Sequence, residues 1–300
     1  MSTSGFRRAG VSLAAVAVIA GAAGCQGGSS NGAGGGKKAG SGGLAAVSPI
    51  AALRAVEKKT AGASSAKVDG TMVMGSAMST TMSGALDWAD GVTGTMDMRY
   101  TGGTMADAMK QAGGDGAVKA RYLSDAYYAN LGDALAAQTG GKHWIRYGYA
   151  DLSKLMGASG DVMKDQMQNA TPDKGVKALL ASGDVKKVGE EKVRGVSATH
   201  YSGTVDVAKL TEKTTALSPD RLSAFKEQLS KAGVTTEKVD IWVDKNDLLV
   251  KKSESGQLKT GTFNSTVFYS DYGTAASAEA PPASDTVDFT KLMKQQAGAS

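Results

Sequence analysis

Residues 67–100 read KVDGTMVMGSAMSTTMSGALDWADGVTGTMDMRY. Met72, Met74, Met78, Met82, Leu86 and Trp88 share one parity, while Ser79, Thr81, Ser83 and Asp87 take the other. Beyond Asp90-Gly91, a pair suited to a hairpin turn, Met96, Met98 and Tyr100 alternate with Thr95, Asp97 and Arg99. Strand side chains alternate between faces, so this period of two predicts two or three antiparallel strands with one methionine-rich face and one polar face. Six of the chain's 13 methionines fall on that face.

Upstream the period is 3.6. Ser48-Pro49 is an N-cap serine followed by proline at the first helical position; Ile50, Leu53 and Val56 follow at helical spacing, and Gly62 stops the helix. Downstream, Val118 to Asn130 carries Tyr122, Tyr127 and Tyr128, and Lys142 to Tyr149 carries Trp144 and Ile145. Asp151 to Ala181 returns to helical spacing, and Pro172 divides it into two expected helices. A short strand Val185–Val188, a turn at Gly189 and a long strand from Val193 to Val207 are expected next. Ser218-Pro219-Asp220 caps a helix carrying Leu222, Phe225 and Leu229. Strands around Val239-Asp240-Ile241-Trp242-Val243, Leu248–Ser253 and Thr262–Tyr272 complete the sheet. Pro281-Pro282 ends it, and Phe289, Leu292 and Met293 make a last short helix. The expected fold is α+β: a large curved antiparallel sheet with helices packed on one face.

The chain begins as an exported protein does. Arg7 and Arg8 precede an apolar run from Val11 to Ala20, too short for the ~20 apolar residues that span a bilayer. Gly21-Ala22-Ala23-Gly24-Cys25 follows, and Cys25 is the single cysteine. The stretch resembles the lipobox of bacterial lipoproteins, with Ala22 where leucine is usual. The resemblance implies a diacylglyceryl thioether on Cys25 and cleavage before it. Acyl chains contribute ~0.8 kcal/mol per buried methylene, so two or three of them anchor a domain to a membrane face. An ordinary secreted protein with a stray cysteine is the alternative. Residues 1–24 are thus expected to be a signal peptide, 25–44 the lipidated cysteine with a flexible tether rich in glycine (nine between Gly27 and Gly43), and 45–300 the folded domain.

The 34 Lys+Arg exceed the 29 Asp+Glu by five, and loss of Arg7 and Arg8 with the signal leaves +3. That mild, spread charge argues against nucleic acid. One cysteine excludes an internal disulfide, and two histidines leave little for a zinc or iron site. Ser64-Ser65-Ala66-Lys67, Tyr128-Ala129-Asn130 and Lys259-Thr260-Gly261 reproduce in order the S-x-x-K, Y-x-N and K-T-G triplets of penicillin-recognising enzymes. That mechanism needs the serine at a helix start. Here Ser64 follows a helix end, Lys67 begins a strand, and the third triplet reads as a hairpin turn. Gly195-Val-Ser197-Ala-Thr199 lacks the closing glycine of a nucleophile elbow. His143 and His200 read as ordinary sheet residues, and turn chemistry accounts for Asp244 and Asp247, which with Asp271 match no calcium-loop spacing. No catalytic residue, metal or cofactor is expected.

Four stretches together resemble the actinobacterial lipoproteins of the LppX/LprG type, within the LolA-like lipid carriers. They are the capped helix running into Ser64-Ser65-Ala66-Lys67-Val68-Asp69-Gly70-Thr71-Met72, the strand Gly195-Val196-Ser197-Ala198-Thr199-His200-Tyr201-Ser202-Gly203-Thr204-Val205-Asp206, the segment Val239–Asp244, and Tyr269-Ser270-Asp271-Tyr272-Gly273 with Ala280-Pro281-Pro282. The resemblance implies a half-barrel around helices with an apolar cavity for a lipid or lipidated glycan, and brings no catalytic residues. Methionine richness and the long glycine tether depart from it.

Methionine is unbranched and polarisable and suits surfaces that adapt to varied apolar shapes, although it also fills ordinary cores. The expectation is a membrane-anchored monomer that binds an apolar ligand, with Met72, Met74, Met78, Trp88, Met96, Met98 and Tyr100 on the cavity wall. The alternative is an interaction or signalling lipoprotein whose core is simply filled.

Overall fold

A computed structural model describes residues 48–168, 171–206, 223, 227 and 231–298. Ser48 caps helix α1 (Pro49–Gly62) as expected, its hydroxyl accepting the Ala51 N–H at 3.2 Å, and Leu53, Val56 and Thr60 form the buried stripe. The alternating stretch becomes β1 (Ser65–Met74), β2 (Met78–Asp87) and β3 (Thr93–Gly102), with Asp90-Gly91 in the β2–β3 turn. Helix α2 (Gly103–Gln111), β4 (Ala117–Tyr122), β5 (Ala126–Asn130), a one-turn α3 (Asp133–Ala136) and β6 (Trp144–Gly148) follow.

Three helices, not two, occupy the next segment: α4 (Tyr149–Met156), α5 (Ala158–Gln168) and α6 (Asp173–Ser182). Pro172 does precede α6, but Gly157, at φ 56°, makes an additional break that a side chain would resist. Strand β7 (Lys186–Val193) runs through Gly189, where the sequence suggests a turn; the glycine lies at a pairing irregularity between Lys187 and Gly189. The turn is instead Arg194-Gly195, leading into β8 (Val196–Asp206). The helix expected around Leu222, Phe225 and Leu229, with its cap at Ser218-Pro219-Asp220, lies outside the described residues, as do the signal segment, Cys25 and the tether. Strands β9 (Thr236–Asp244), β10 (Leu249–Leu258) and β11 (Gly261–Ser270) agree with expectation, and Lys259-Thr260 does form the β10–β11 turn.

Pro281-Pro282 does not end the sheet. Strand β12 (Thr286–Asp288) follows it and adds parallel to the edge of β6, before helix α7 (Phe289–Gly298). The proline segment is pinned there by Lys142 Nζ donating to the Ser284 carbonyl at 2.8 Å and by the His143 N–H donating to Asp285 Oδ1 at 2.9 Å.

The twelve strands among the described residues form one curved sheet in the order β12-β6-β5-β4-β3-β2-β1-β11-β10-β9-β8-β7, antiparallel except for β12 on β6. The β1–β11 ladder, which joins residues about 200 positions apart, makes one sheet of the early and late strands. Helices α1 and α6 pack Leu53, Val56, Val176 and Leu179 onto one face, over Val68, Met96, Ile241 and Val243. A second apolar cluster lies where α4 and α7 cover Val118, Ala129, Ile145 and Tyr147. No helix among the described residues is long and apolar enough to cross a membrane.

Candidate functional site

The strand registers build the helix-facing surface row by row. One row runs Tyr201–Ile241–Lys252–Val267–Gly70–Met82–Met98–Val118. The next runs Gly203–Val239–Glu254–Ser265–Met72–Thr80–Tyr100, and a third Val205–Glu237–Gly256–Phe263–Met74–Met78. All six methionines predicted to share a face do share it. Met74 and Met96 are buried, at 3% and 5% exposure, and Met96 packs into the cluster of Leu53 and Val56. Met72, Met78, Met82, Met98 and Tyr100 are half-buried, and Met98 touches both apolar clusters. Trp88 stands apart. It lies beyond the end of β2, buried with Ala66 and Val92 and edge-on to Tyr272 at 6.3 Å.

Sequence reasoning missed the polar patch beside this wall. Lys252 and Glu254, 6% and 2% exposed, join through Lys252 Nζ and Glu254 Oε1 at 2.7 Å, and Glu237 lies on the same face at 4%. Burial and the neighbouring Glu254 carboxylate push Glu237 up to about 9, so it holds its proton at neutral pH. Glu254 Oε2 and Glu237 Oε1 are buried without a hydrogen-bond partner. Glu237 alternates with Val239, Ile241 and Val243, a visible sign that it points inward. Lys252 and Glu254 carried no such sign, because β10 bulges between Leu249 and Lys251 and so reverses its parity. Two tertiary bonds hold that bulge: the Leu249 N–H donates to Thr60 Oγ1 at 3.4 Å, and the Tyr272 hydroxyl donates to the Leu249 carbonyl at 2.6 Å.

An aromatic ladder continues the same face over β4–β6: Tyr122–Tyr127 at 5.0 Å, Tyr127–Tyr147 at 5.7 Å, and Tyr147–Phe289 at 4.8 Å. Half-buried Met109, Met163 and Met167 border it, and burial pushes the Tyr122 and Tyr147 hydroxyls up to about 12.

The opposite face is polar. A groove of about 610 Å³ crosses β1–β4 there, among Asp69, Thr81, Ser83, Asp97 and Lys119, with Arg194 over it. Arg194 pairs with Asp69 at 3.1 Å and stacks 3.8 Å from the Phe268 ring. Next along the sheet, Lys251 Nζ lies 3.7 Å over Trp242, which stacks on His200 at 4.2 Å. His200 also bonds Asp240 at 2.8 Å, so it is a paired strand residue. His143 precedes β6 and bonds Asp285 at 2.6 Å.

The penicillin-type triplets do not converge. Ser64 sits in the α1–β1 loop, Lys67 Nζ turns to Asp271 at 2.7 Å, Tyr128 lies on β5 and Lys259 in the β10–β11 turn. With β5 four strands from β1 and neighbours ~4.8 Å apart, the first two triplets are separated by ~19 Å. Asp244 is a turn residue, accepting the Asn246 and Leu248 N–H groups at 2.8 and 2.9 Å. Among the described residues no group of three or more His, Cys, Asp or Glu is placed to hold a metal.

No family model matches the chain. It is 70% identical over 248 residues (83% of this chain, 81% of the relative) to a Streptomyces griseus protein named "Uncharacterized 31.2 kDa protein in rplA-rplJ intergenic region". It is 47% identical over 245 residues (82% and 76%) to "Putative lipoprotein SCO4650" of Streptomyces coelicolor. The chain belongs to the family of these two Streptomyces proteins. Among solved structures, this Streptomyces-family chain is similar to Mycobacterium tuberculosis lipoprotein LppX, at 14% identity and TM-score 0.46, over 77% of this chain and 98% of that one. It is likewise similar to LprF of Mycobacterium bovis, at 12% identity and TM-score 0.46, over 78% and 97%.

Proposed function

We propose that the protein is a lipoprotein, anchored through acylated Cys25 to the outer face of the cell membrane, that binds an apolar ligand between its sheet and helices. The ligand is a lipid or lipidated glycan, and the protein carries it across the envelope. The observation that carries this reading is the sharing of one helix-facing sheet surface by Met72, Met74, Met78, Met82, Met96 and Met98. Four of these are half-buried, so their flexible thioethers border space that is not fully sealed. The name of the Streptomyces coelicolor relative supports the anchor. The work asked of such a protein is binding, not bond making, and no catalytic residue is assigned.

Burial of Met74 and Met96 favours a second reading, an interaction lipoprotein whose core is filled by its own side chains. Native mass spectrometry separates the two. The secreted chain carrying Cys25→Ser is expected to carry extra mass that organic extraction removes and identifies as lipid. A chain that flies at its bare mass, and stays bare after incubation with lipid vesicles, overturns the carrier reading and leaves the interaction reading.

A further inference from the structure

The helix-facing surface has two chemistries side by side. On β1–β3 it is methionine; on β9 and β10 it is Glu237, Lys252 and Glu254. In the register, Glu254 pairs with Ser265, and Ser265 with Met72. Glu254 is therefore two strands, ~10 Å, from the methionine wall. Glu237 is joined to Met74 in the same way, through Gly256 and Phe263.

This patch has the chemistry of a site for a polar head. Lys252 satisfies one oxygen of Glu254 and balances its charge. Glu237 is kept neutral by burial, so the patch as a whole carries no net charge. What remains is hydrogen-bonding capacity: Glu254 Oε2 and Glu237 Oε1 are shut from water without a partner, and the neutral Glu237 carboxyl can donate as well as accept. Among the described residues the other buried acids are matched, Asp173 by Lys177 at 2.7 Å and Asp240 by His200 and Lys238 at 2.8 Å. A buried acceptor left empty costs about 1–3 kcal/mol, and two in one patch mark a place where stability has been given up for another purpose. A bare hydrocarbon would not answer them, a carboxylate would be repelled by Glu254, and hydroxyl groups would donate to both.

Resting on the carrier reading above, we propose that Glu237 and Glu254, positioned by Lys252, form the head-group site for a neutral amphiphile bearing hydroxyl donors, whose tail lies on the Met72–Met74 wall. Glyceryl and glycosyl heads are the two classes that meet this description.

The test uses the secreted chain carrying Cys25→Ser and three probes of one acyl length: a monoacylglycerol, the fatty acid methyl ester and the free fatty acid. Each displaces an apolar fluorophore. The monoacylglycerol is expected to bind about tenfold more tightly than the methyl ester, the loss of one or two hydrogen bonds to buried acceptors. Glu237→Leu should erase that preference, and Glu237→Gln, which keeps an acceptor oxygen, should retain it. Equal binding of the monoacylglycerol and methyl ester overturns the head-group site and leaves the apolar cavity standing. Failure of all three to displace the dye overturns the cavity itself and the site with it. A preference that survives in a folded Glu237→Leu, checked by circular dichroism, removes Glu237 from the site.

Discussion

Lys252 and Glu254 stand two residues apart on β10 and share a 2.7 Å ion pair inside the core, under helix α6. A Cβ on Gly175 of α6 would come within 2.5 Å of Lys252 Cδ, so the glycine lets the helix close over the pair. An ion pair so buried gains little over a hydrophobic pair but is costly to break. Lys252→Met is expected to destabilise the protein by about 3–5 kcal/mol, because it strands the Glu254 carboxylate. Lys252→Met combined with Glu254→Leu should recover most of that loss. Urea unfolding of the unsubstituted chain and the two variants measures both, and a double variant no more stable than Lys252→Met would contradict the coupling.

Glu237 imposes a pH dependence. Its carboxyl is held up to about 9 in the fold by burial and by Glu254, with Lys252 opposing, against an ordinary 4.5. The folded state thus keeps a proton that the unfolded chain gives up. Its contribution is fully present below about pH 4.5 and is lost as the pH rises towards 9, at up to about 1.4 kcal/mol per pH unit. Glu237→Gln should flatten that decline between pH 5 and 9. Thermal melts across that range decide it, and an unchanged slope would assign the decline to other groups.

His143 titrates in the other familiar window. Its bond to Asp285, with further help from Asp285 and Asp133 charge, raises its pKa above the ordinary 6.5. The raised pKa means that protonated His143 favours the fold below about pH 6.5, and that this contribution disappears as pH climbs through the folded value. Imidazole resonances followed by NMR should show His143 titrating above 6.5 and Asp285→Asn bringing it down. A midpoint that Asp285→Asn leaves in place would mean that the pair does not hold the β12 segment.

Met96 and Met74 separate packing from binding. Met96→Ala removes a side chain from the cluster of Leu53 and Val56 and should cost about 2–5 kcal/mol in unfolding free energy. Met74→Trp intrudes on the proposed ligand wall, and the lipid recovered with the purified chain should fall. If Met74→Trp folds and retains its full lipid load, the ligand lies elsewhere.

Tyr272 guards the bulge that turns β10. Tyr272→Phe deletes the hydroxyl bonded to the Leu249 carbonyl and leaves that carbonyl unmet, at about 1–3 kcal/mol. Hydrogen exchange should rise at Val250 and Lys251 if the bulge loosens, and remain as it was if Thr60 alone holds it.

Much of this protein is local, and therefore legible in its residues. The change of period at β1, the cap at Ser48 and the turn at Asp90-Gly91 are short-range facts. So is the common face of six methionines, because strand geometry converts parity into a face without help from distant parts of the chain. Which helices cover that face, α1 and α6, was settled by the fold. Gly157 and Gly189 were ambiguous, since a glycine serves equally as a turn, a helix break or a bulge until its surroundings choose. Strand β12 was hidden in a proline-rich stretch because a three-residue parallel edge takes its stability from β6 and not from its own pattern. The polar patch was the least legible part. In sequence, Leu249 and Lys252 belong to opposite parities; in the fold both point inward, because Thr60 and Tyr272, far away in the chain, capture the two backbone groups of Leu249 and hold the bulge between them. The residues alone determined which side chains alternate. Only the long-range contacts decided where the alternation reverses, and so brought the Lys252–Glu254 ion pair beside a methionine wall.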